Sequence, residues 1–309
     1  NDLANLLYRE PKELSTLINQ LVRTGISYPK AREAAQKVQQ EMDELLKEKG
    51  HEVVIVGRSP ERTKAVGEEL GVDYYIADFT KQNDVRELGQ KLHDKYPRID
   101  VLFNNAGGIY QKERTVTEDG YEKTFQICHL AHFLLTGILL DTLIASRATV
   151  INTSSSGAAG LSKLDINDLN LEKKYTNAIA YGNAKLEVTL FAKEFDRRYG
   201  KTGVSMVSFH PGNVITNFAS GSDGMIKGMY TASMKSKLVK KLLVMITPEE
   251  GADTPVWLAT TEAGKDWQPG NYYYKRKIAR THKLADDPAV AKSLWEQSEK
   301  MCGLTYPVL

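Results

Sequence analysis

From residue 51 onward the chain alternates short, continuous apolar runs with longer amphipathic stretches, and few folds accommodate that rhythm. The runs Val53-Val54-Ile55-Val56 and Val204-Ser205-Met206-Val207 do not alternate apolar with polar residues. Strands buried on both faces read this way, as in a parallel sheet covered by helices. Strands are expected over 52–57, 73–77, 99–104, 148–153, 204–210 and 270–274. Helices are expected over 60–70, 81–95, 120–144, 180–199 and 248–260. Alternating strand and helix units predict an α/β fold, a doubly wound parallel sheet with right-handed crossovers.

The first fifty residues break the rhythm. Pro11 to Thr24 carries Leu14, Leu17, Ile18, Leu21 and Val22 at helical spacing, between a Pro start and a Gly25 stop. A second helix is expected over 29–49, with Ala31, Ala34, Ala35, Val38, Met42, Leu45 and Leu46 on its apolar stripe and Gly50 at its end. The chain therefore divides into an N-terminal helical segment, 1–50, and an α/β body, 51–309. Within the body, 215–246 has little strand character. There Lys235, Lys237, Lys240 and Lys241 interleave with Leu238, Val239, Leu242 and Leu243. A substrate lid is the expected role, and a basic amphipathic helix on a membrane surface is the other reading.

Composition excludes several classes. A formal net charge of +2, with basic and acidic residues intermixed, gives no footprint for nucleic acid. Two cysteines, Cys128 and Cys302, make no disulfide framework. No apolar run has the length of a bilayer span. The first ten residues lack a basic segment followed by an apolar core, so no secretory signal is expected and a cytoplasmic location is.

Four segments carry chemistry. Tyr181 and Lys185 form Tyr-x-x-x-Lys within 180–199, and positions four apart share one helix face. An ammonium beside a phenol favours phenolate, which suits exchange of a proton with an alcohol or carbonyl. Upstream, Val150-Ile151-Asn152-Thr153-Ser154-Ser155-Ser156-Gly157 is an apolar strand ending in serines. Such carboxyl ends are where open parallel sheets place ligands. Val101-Leu102-Phe103-Asn104-Asn105-Ala106-Gly107-Gly108 runs into small residues that let a flat ligand approach. The strand 204–210 ends in His210-Pro211-Gly212-Asn213-Val214-Ile215-Thr216.

As a set these motifs resemble the short-chain dehydrogenase/reductase family, most closely its retinol-dehydrogenase-like branch. The match rests on Asn104-Asn105-Ala106-Gly107, the serine strand end, Tyr181-x-x-x-Lys185 and Pro211-Gly212-x-x-x-Thr216. His129-Leu130-Ala131-His132-Phe133-Leu134-Leu135-Thr136 and Thr247-Pro248-Glu249-Glu250-Gly251-Ala252 extend it, over about residues 50 to 303. The resemblance implies a Rossmann-like sheet and hydride transfer between a nicotinamide cofactor and an alcohol or carbonyl substrate. It implies that Ser155 orients the substrate, that Tyr181 is the acid/base and that Lys185 tunes it while holding the nicotinamide ribose. Cofactor contacts would come from Asn105, Ala106, Gly107, Tyr181, Lys185, Pro211, Gly212, Val214 and Thr216, with Asp78 at the adenine. Arg58 follows the strand 52–57, where an acidic residue would select a free 2′-hydroxyl and Arg a 2′-phosphate. NADP(H) is therefore expected over NAD(H). Met225, Ile226, Met229, Tyr230 and Met234 suggest an apolar substrate. Dimers and tetramers are both compatible with the resemblance.

The chain departs from the pattern twice. Cys128 stands where the family has an Asn in its proton relay. The glycine-rich loop that brings a pyrophosphate to a helix N-terminus is missing. In Thr24-Gly25-Ile26-Ser27-Tyr28-Pro29-Lys30-Ala31, Pro29 and Ala31 stand at glycine positions. The first strand is thus uncertain: either 19–23 is drawn into the sheet or the N-terminal helices replace it. Loss of that central strand should leave an open seam. A dehydrogenase-like scaffold without cofactor, acting as a binding or regulatory protein, is the alternative function. Cys128, His129 and His132 lack the companions that a metal site needs, so no metal is expected.

Overall fold

Among the described residues eight strands pair in parallel, because the connections between them pass through helices or long loops. The computed structural model describes residues 52–110, 112–214, 245–246 and 248–309. The order is β1 (Val54–Gly57), α1 (Pro60–Leu70), β2 (Asp73–Ile76), α2 (Gln82–Lys95) and β3 (Val101–Asn104). Then come α3 (Lys123–Phe125), a π turn over Gln126–Leu130, α4 (Ala131–Ile138), α5 (Leu140–Ala145) and β4 (Thr149–Thr153). After these follow α6 (Gly157–Gly160), α7 (Asn177–Tyr199), β5 (Ser205–Phe209), β6 (Asn213–Val214), β7 (Met245–Ile246) and α8 (Pro248–Thr260). The last elements are β8 (Tyr272–Tyr274), β9 (Lys277–Ile278) and α9 (Pro288–Cys302).

The five-stranded sheet has the order β3-β4-β5-β8-β9, parallel except for the β9 edge. β1 pairs in parallel with β2, Gly57 opposite Ile76, as a second sheet. Among the described residues no ladder joins β1 to β3. The two sheets nevertheless share one core: Val54 and Val56 of β1 belong to the same buried cluster as Leu102 and Val150. The helical segment expected over 1–50 lies outside the described residues, as does nearly all of the lid expected over 215–246.

Local signals set several boundaries. Ser59 precedes Pro60 at the first turn of α1, and Gly71 ends that helix in the left-handed region at φ 62°. The helix expected over 120–144 is a correction: it is broken at the π turn and again between α4 and α5. A further correction is α9, absent from the expected helices. Its caps were in view, since Asp287 accepts from Ala289 N at 2.9 Å and Gly303 closes it at φ 53°. Trp295 anchors it, with ring centroids of Phe133 and Tyr306 at 5.1 and 4.6 Å. His129 Nε2 lies 2.8 Å from Ser298 Oγ across the same junction.

Candidate active site

The carboxyl ends of β3, β4 and β5 are stitched together by side-chain amides. Asn104 Nδ2 donates to Asn152 Oδ1 at 3.0 Å and to Thr136 Oγ1 at 3.1 Å. Asn152 Nδ2 donates in turn to the Val207 carbonyl at 3.2 Å. All three strands therefore end level, and the loops beyond them share one rim. One helix, α7, crosses this rim. Thr176 caps it by accepting from Ile179 N at 3.1 Å, which fixes where the first turns of α7 lie.

Lys185 is 2 % exposed, although Lys is a residue type almost never fully buried without a partner. Its Nζ donates to the Thr153 carbonyl at 2.7 Å and lies 5.9 Å from the centroid of the Tyr181 ring. Burial holds the Lys185 ammonium below its ordinary pKa, and the nearby Cys128 opposes that. Thr153 Oγ1 donates to Asn105 Oδ1 at 2.8 Å, linking the two strand ends on which Lys185 sits.

The serines divide their work. Ser154 is buried, and its hydroxyl donates to the Lys185 carbonyl at 2.7 Å. Ser155 Oγ accepts from Gly157 N at 3.1 Å and stays half-exposed. Tyr181 Cε1 and Ser155 Oγ lie 2.9 and 3.4 Å from the point where a side chain on Gly157 would begin. Ser155, Tyr181 and Lys185 are thus brought together on one side of the β4 end.

Gly107 closes the site from the β3 loop. A Cβ there would stand 2.8 Å from Cys128 Sγ and 3.1 Å from Lys185 Nζ, so only glycine fits. Asn105 and Ala106 sit beside it, half-buried. Arg58 and Asp78 end the neighbouring strands β1 and β2, Arg58 exposed and Asp78 half-buried. Asp78 Oδ1 accepts from Thr80 N and Oγ1, at 3.0 and 2.8 Å. Tyr110 connects the two regions. Burial raises its hydroxyl pKa, Cys128 and Asp78 add to that, and the charge of Arg58 opposes it.

After β5, His210 Nδ1 accepts from Gly212 N at 3.3 Å, and its ring stacks on Tyr274 at 5.0 Å. Burial lowers the His210 pKa to about 4, so the imidazole is neutral. Gly212 takes φ 96°, the left-handed region that glycine tolerates, directly before β6 and Val214. Thr216 lies outside the described residues.

Two residues that support the candidate site carry no signal in the sequence pattern. Ser154 locks α7 to β4, and His210 braces the turn at Gly212. Gly182 offered a usable signal inside Tyr-x-x-x-Lys: a Cβ there would meet Ser162 N at 2.5 Å, so α7 packs backbone to backbone. Cys128, His129 and His132 diverge. Cys128 faces Lys185, His129 faces Ser298, and His132 packs edge-on to Phe79 at 5.8 Å.

Residues 34–225, more than half of the chain, match the family model described as short chain dehydrogenase. A Streptomyces sp. (strain C5) protein, DnrU, assigned as a daunorubicin C-13 ketoreductase, is 36% identical over 263 residues, covering 83% of this chain and 85% of its own. Human retinol dehydrogenase 13 is 31% identical over 272 residues, covering 85% of this chain and 80% of its own. An uncharacterized protein of Mycobacterium paratuberculosis has a similar solved fold, with a TM-score of 0.61 at 22% identity, over 82% of this chain and 85% of that one.

Proposed function

This chain belongs to the short-chain dehydrogenase/reductase family, in its retinol-dehydrogenase-like branch, and on that premise we propose that it transfers hydride between NADP(H) and an apolar alcohol or carbonyl compound. The observation that carries the proposal is the buried Lys185 ammonium, held by the Thr153 carbonyl beside the Tyr181 ring with Ser155 alongside. A cation desolvated to that degree stabilises nothing by itself. Its use is electrostatic.

The described residues fit the nicotinamide and ribose end of such a cofactor. Gly107 presents backbone where any side chain would collide with Lys185, leaving a flat surface for a ring and ribose. Asn105 and Ala106 follow β3, and Pro211, Gly212 and Val214 follow β5, at strand ends held level by Asn104 and Asn152; these, with Thr216 in sequence, would be the further cofactor contacts. When bound, the nicotinamide supplies or accepts the hydride. Ser155 Oγ donates a hydrogen bond to the substrate oxygen. Tyr181 gives that oxygen a proton in reduction and takes it back in oxidation. Lys185 keeps its ammonium against the phenol and against the ribose.

Arg58 supports the phosphorylated cofactor. It is an exposed cation one residue past β1, and Arg suits bidentate phosphate recognition. An alcohol or carbonyl substrate agrees with the names of the relatives, a retinol dehydrogenase, whose named substrate is an apolar alcohol, and a daunorubicin C-13 ketoreductase, whose named substrate is a ketone. Among the described residues no helix is long and apolar enough to cross a membrane. The missing glycine-rich loop, with Pro29 and Ala31 at glycine positions, makes the scaffold without cofactor the second reading.

One experiment separates the two. The full chain is titrated with NADPH and NADH by fluorescence, then assayed with apolar aldehydes and ketones. Saturable NADPH binding and carbonyl-dependent NADPH oxidation are expected. No binding of either cofactor at millimolar concentration overturns the proposal in favour of the scaffold.

A further inference from the structure

Cys128 occupies the middle of the π turn between α3 and α4 and is 0 % exposed. A π turn inserts one extra residue and re-aims the side chains around it, often at a working site. Here it aims sulfur at the site just described. Cys128 Sγ and Lys185 Nζ lie 2.8 and 3.1 Å from a single point, the place of a side chain on Gly107. The two atoms share the space beneath that glycine. The Gly108 backbone also hydrogen-bonds to the thiol, tying the β3 loop to the π turn.

The surroundings of the ammonium leave sulfur a definite task. Lys185 has three donor hydrogens, and the Thr153 carbonyl takes one at 2.7 Å. The Tyr181 ring covers another side at 5.9 Å. Among the described residues no carboxylate lies within ion-pair distance of Nζ. The imidazole of His132, one turn beyond Cys128, is held neutral by burial, its pKa lowered to about 3. Burial likewise pushes the Cys128 thiol up, with the charge of Lys185 opposing. A neutral, polarizable sulfur can pack against an ammonium without quenching its charge, as a carboxylate would. Cys302 shows the contrast: its sulfur reaches only the Leu130 carbonyl at 3.6 Å, inside the core.

We propose that Cys128 is a positioning residue acting through Lys185: its thiol confines the ammonium between the Thr153 carbonyl and the Tyr181 ring and sets the height of the Gly107 loop above it. The inference rests on the proposed role of Lys185 as a cofactor contact. Without the thiol the ammonium gains room, and the cofactor binds a less ordered site.

The test is a double-mutant cycle read by NADPH dissociation constants, using the full-length parent, Cys128→Ala, Cys128→Ser, Lys185→Met and Cys128→Ala/Lys185→Met. Titrations extend to millimolar cofactor, and each variant is melted to check folding. Loss of one hydrogen-bond-scale contact predicts that Cys128→Ala weakens NADPH about fivefold. Cys128→Ser, which restores a polar group, should recover at least half of that loss. In the Lys185→Met background Cys128→Ala should change affinity by less than about twofold, because coupled residues are not additive. Equal losses in both backgrounds, or no rescue by serine, overturn the inference. If Cys128→Ala does not fold, Cys128→Val fills the volume without the thiol and enters the cycle instead. Failure of the parent to bind either cofactor overturns the underlying reading, an outcome distinct from additivity.

Discussion

Replacing Lys185 by Met should make the protein more stable and less active at the same time. Lys185 is buried on α7 with one hydrogen bond, to Thr153 O at 2.7 Å, and with its pKa lowered chiefly by burial. Met keeps the length of the side chain and removes the charge. Exchanging buried charged groups for apolar ones of like volume commonly stabilises by about 1–4 kcal/mol. The orphaned Thr153 carbonyl gives back about 1 kcal/mol of that. A net gain of roughly 1–3 kcal/mol follows, or a rise in Tm of about 2–8 °C at this chain length. The pH dependence supplies a second check. A lysine whose folded pKa lies below its unfolded value of 10.5 destabilises the fold most when both states are charged. That penalty fades as pH rises from the lowered pKa towards 10.5. The advantage of Lys185→Met should therefore shrink over the same window. Urea unfolding at several pH values and NADPH-dependent turnover are the assays. A Met variant less stable than the parent by more than 1 kcal/mol, with turnover retained, would refute the idea that Lys185 is kept at a cost in stability for function.

Tyr181→Phe should lower kcat by about 10²–10⁴-fold, the usual worth of a general acid, while NADPH affinity changes little; unaltered turnover refutes the role. Arg58→Asp should weaken NADPH more than NADH in fluorescence titrations, and equal effects remove the 2′-phosphate assignment. His129 is buried neutral with its pKa lowered to about 3 from 6.5, so its contribution to stability is present above pH 6.5 and lost as pH falls towards 3. His129→Gln should flatten the decline of Tm between pH 6.5 and 4, and an unchanged slope counts against it. Trp295→Ala should cost about 3–5 kcal/mol by urea unfolding, because the ring closes the junction of α9 with Phe133 and Tyr306. A cost under 1 kcal/mol would mean that α9 is loosely docked.

Much of the candidate site was legible in the sequence. Continuous apolar runs such as Val53–Val56 announce buried strands because a parallel sheet has no wet face. Tyr181 and Lys185 are four residues apart on one helix, so their meeting is fixed by helix geometry alone. The ends of α1 were readable because Ser59, Pro60 and Gly71 act within a turn of themselves. The helix expected over 120–144 failed at Gln126–Leu130, since nothing in Gln-Ile-Cys-His-Leu marks an inserted residue. The missing glycine-rich loop was legible as an absence.

The sequence by itself determined the layer architecture, the strand ends that could carry a site, and the pairing of Tyr181 with Lys185. These depend on periodicity and on residues close in the chain. Only the tertiary structure decided which serine stays half-exposed at the strand end. Ser154 is taken up by the Lys185 carbonyl because α7 lies across β4, and that contact spans 31 residues. It alone also decided that Cys128 faces Lys185 while His129 turns to Ser298, 169 residues away. The physical reason is the same in both cases. A side chain's direction is set by its own backbone, but its partner is chosen by packing between elements far apart in the chain.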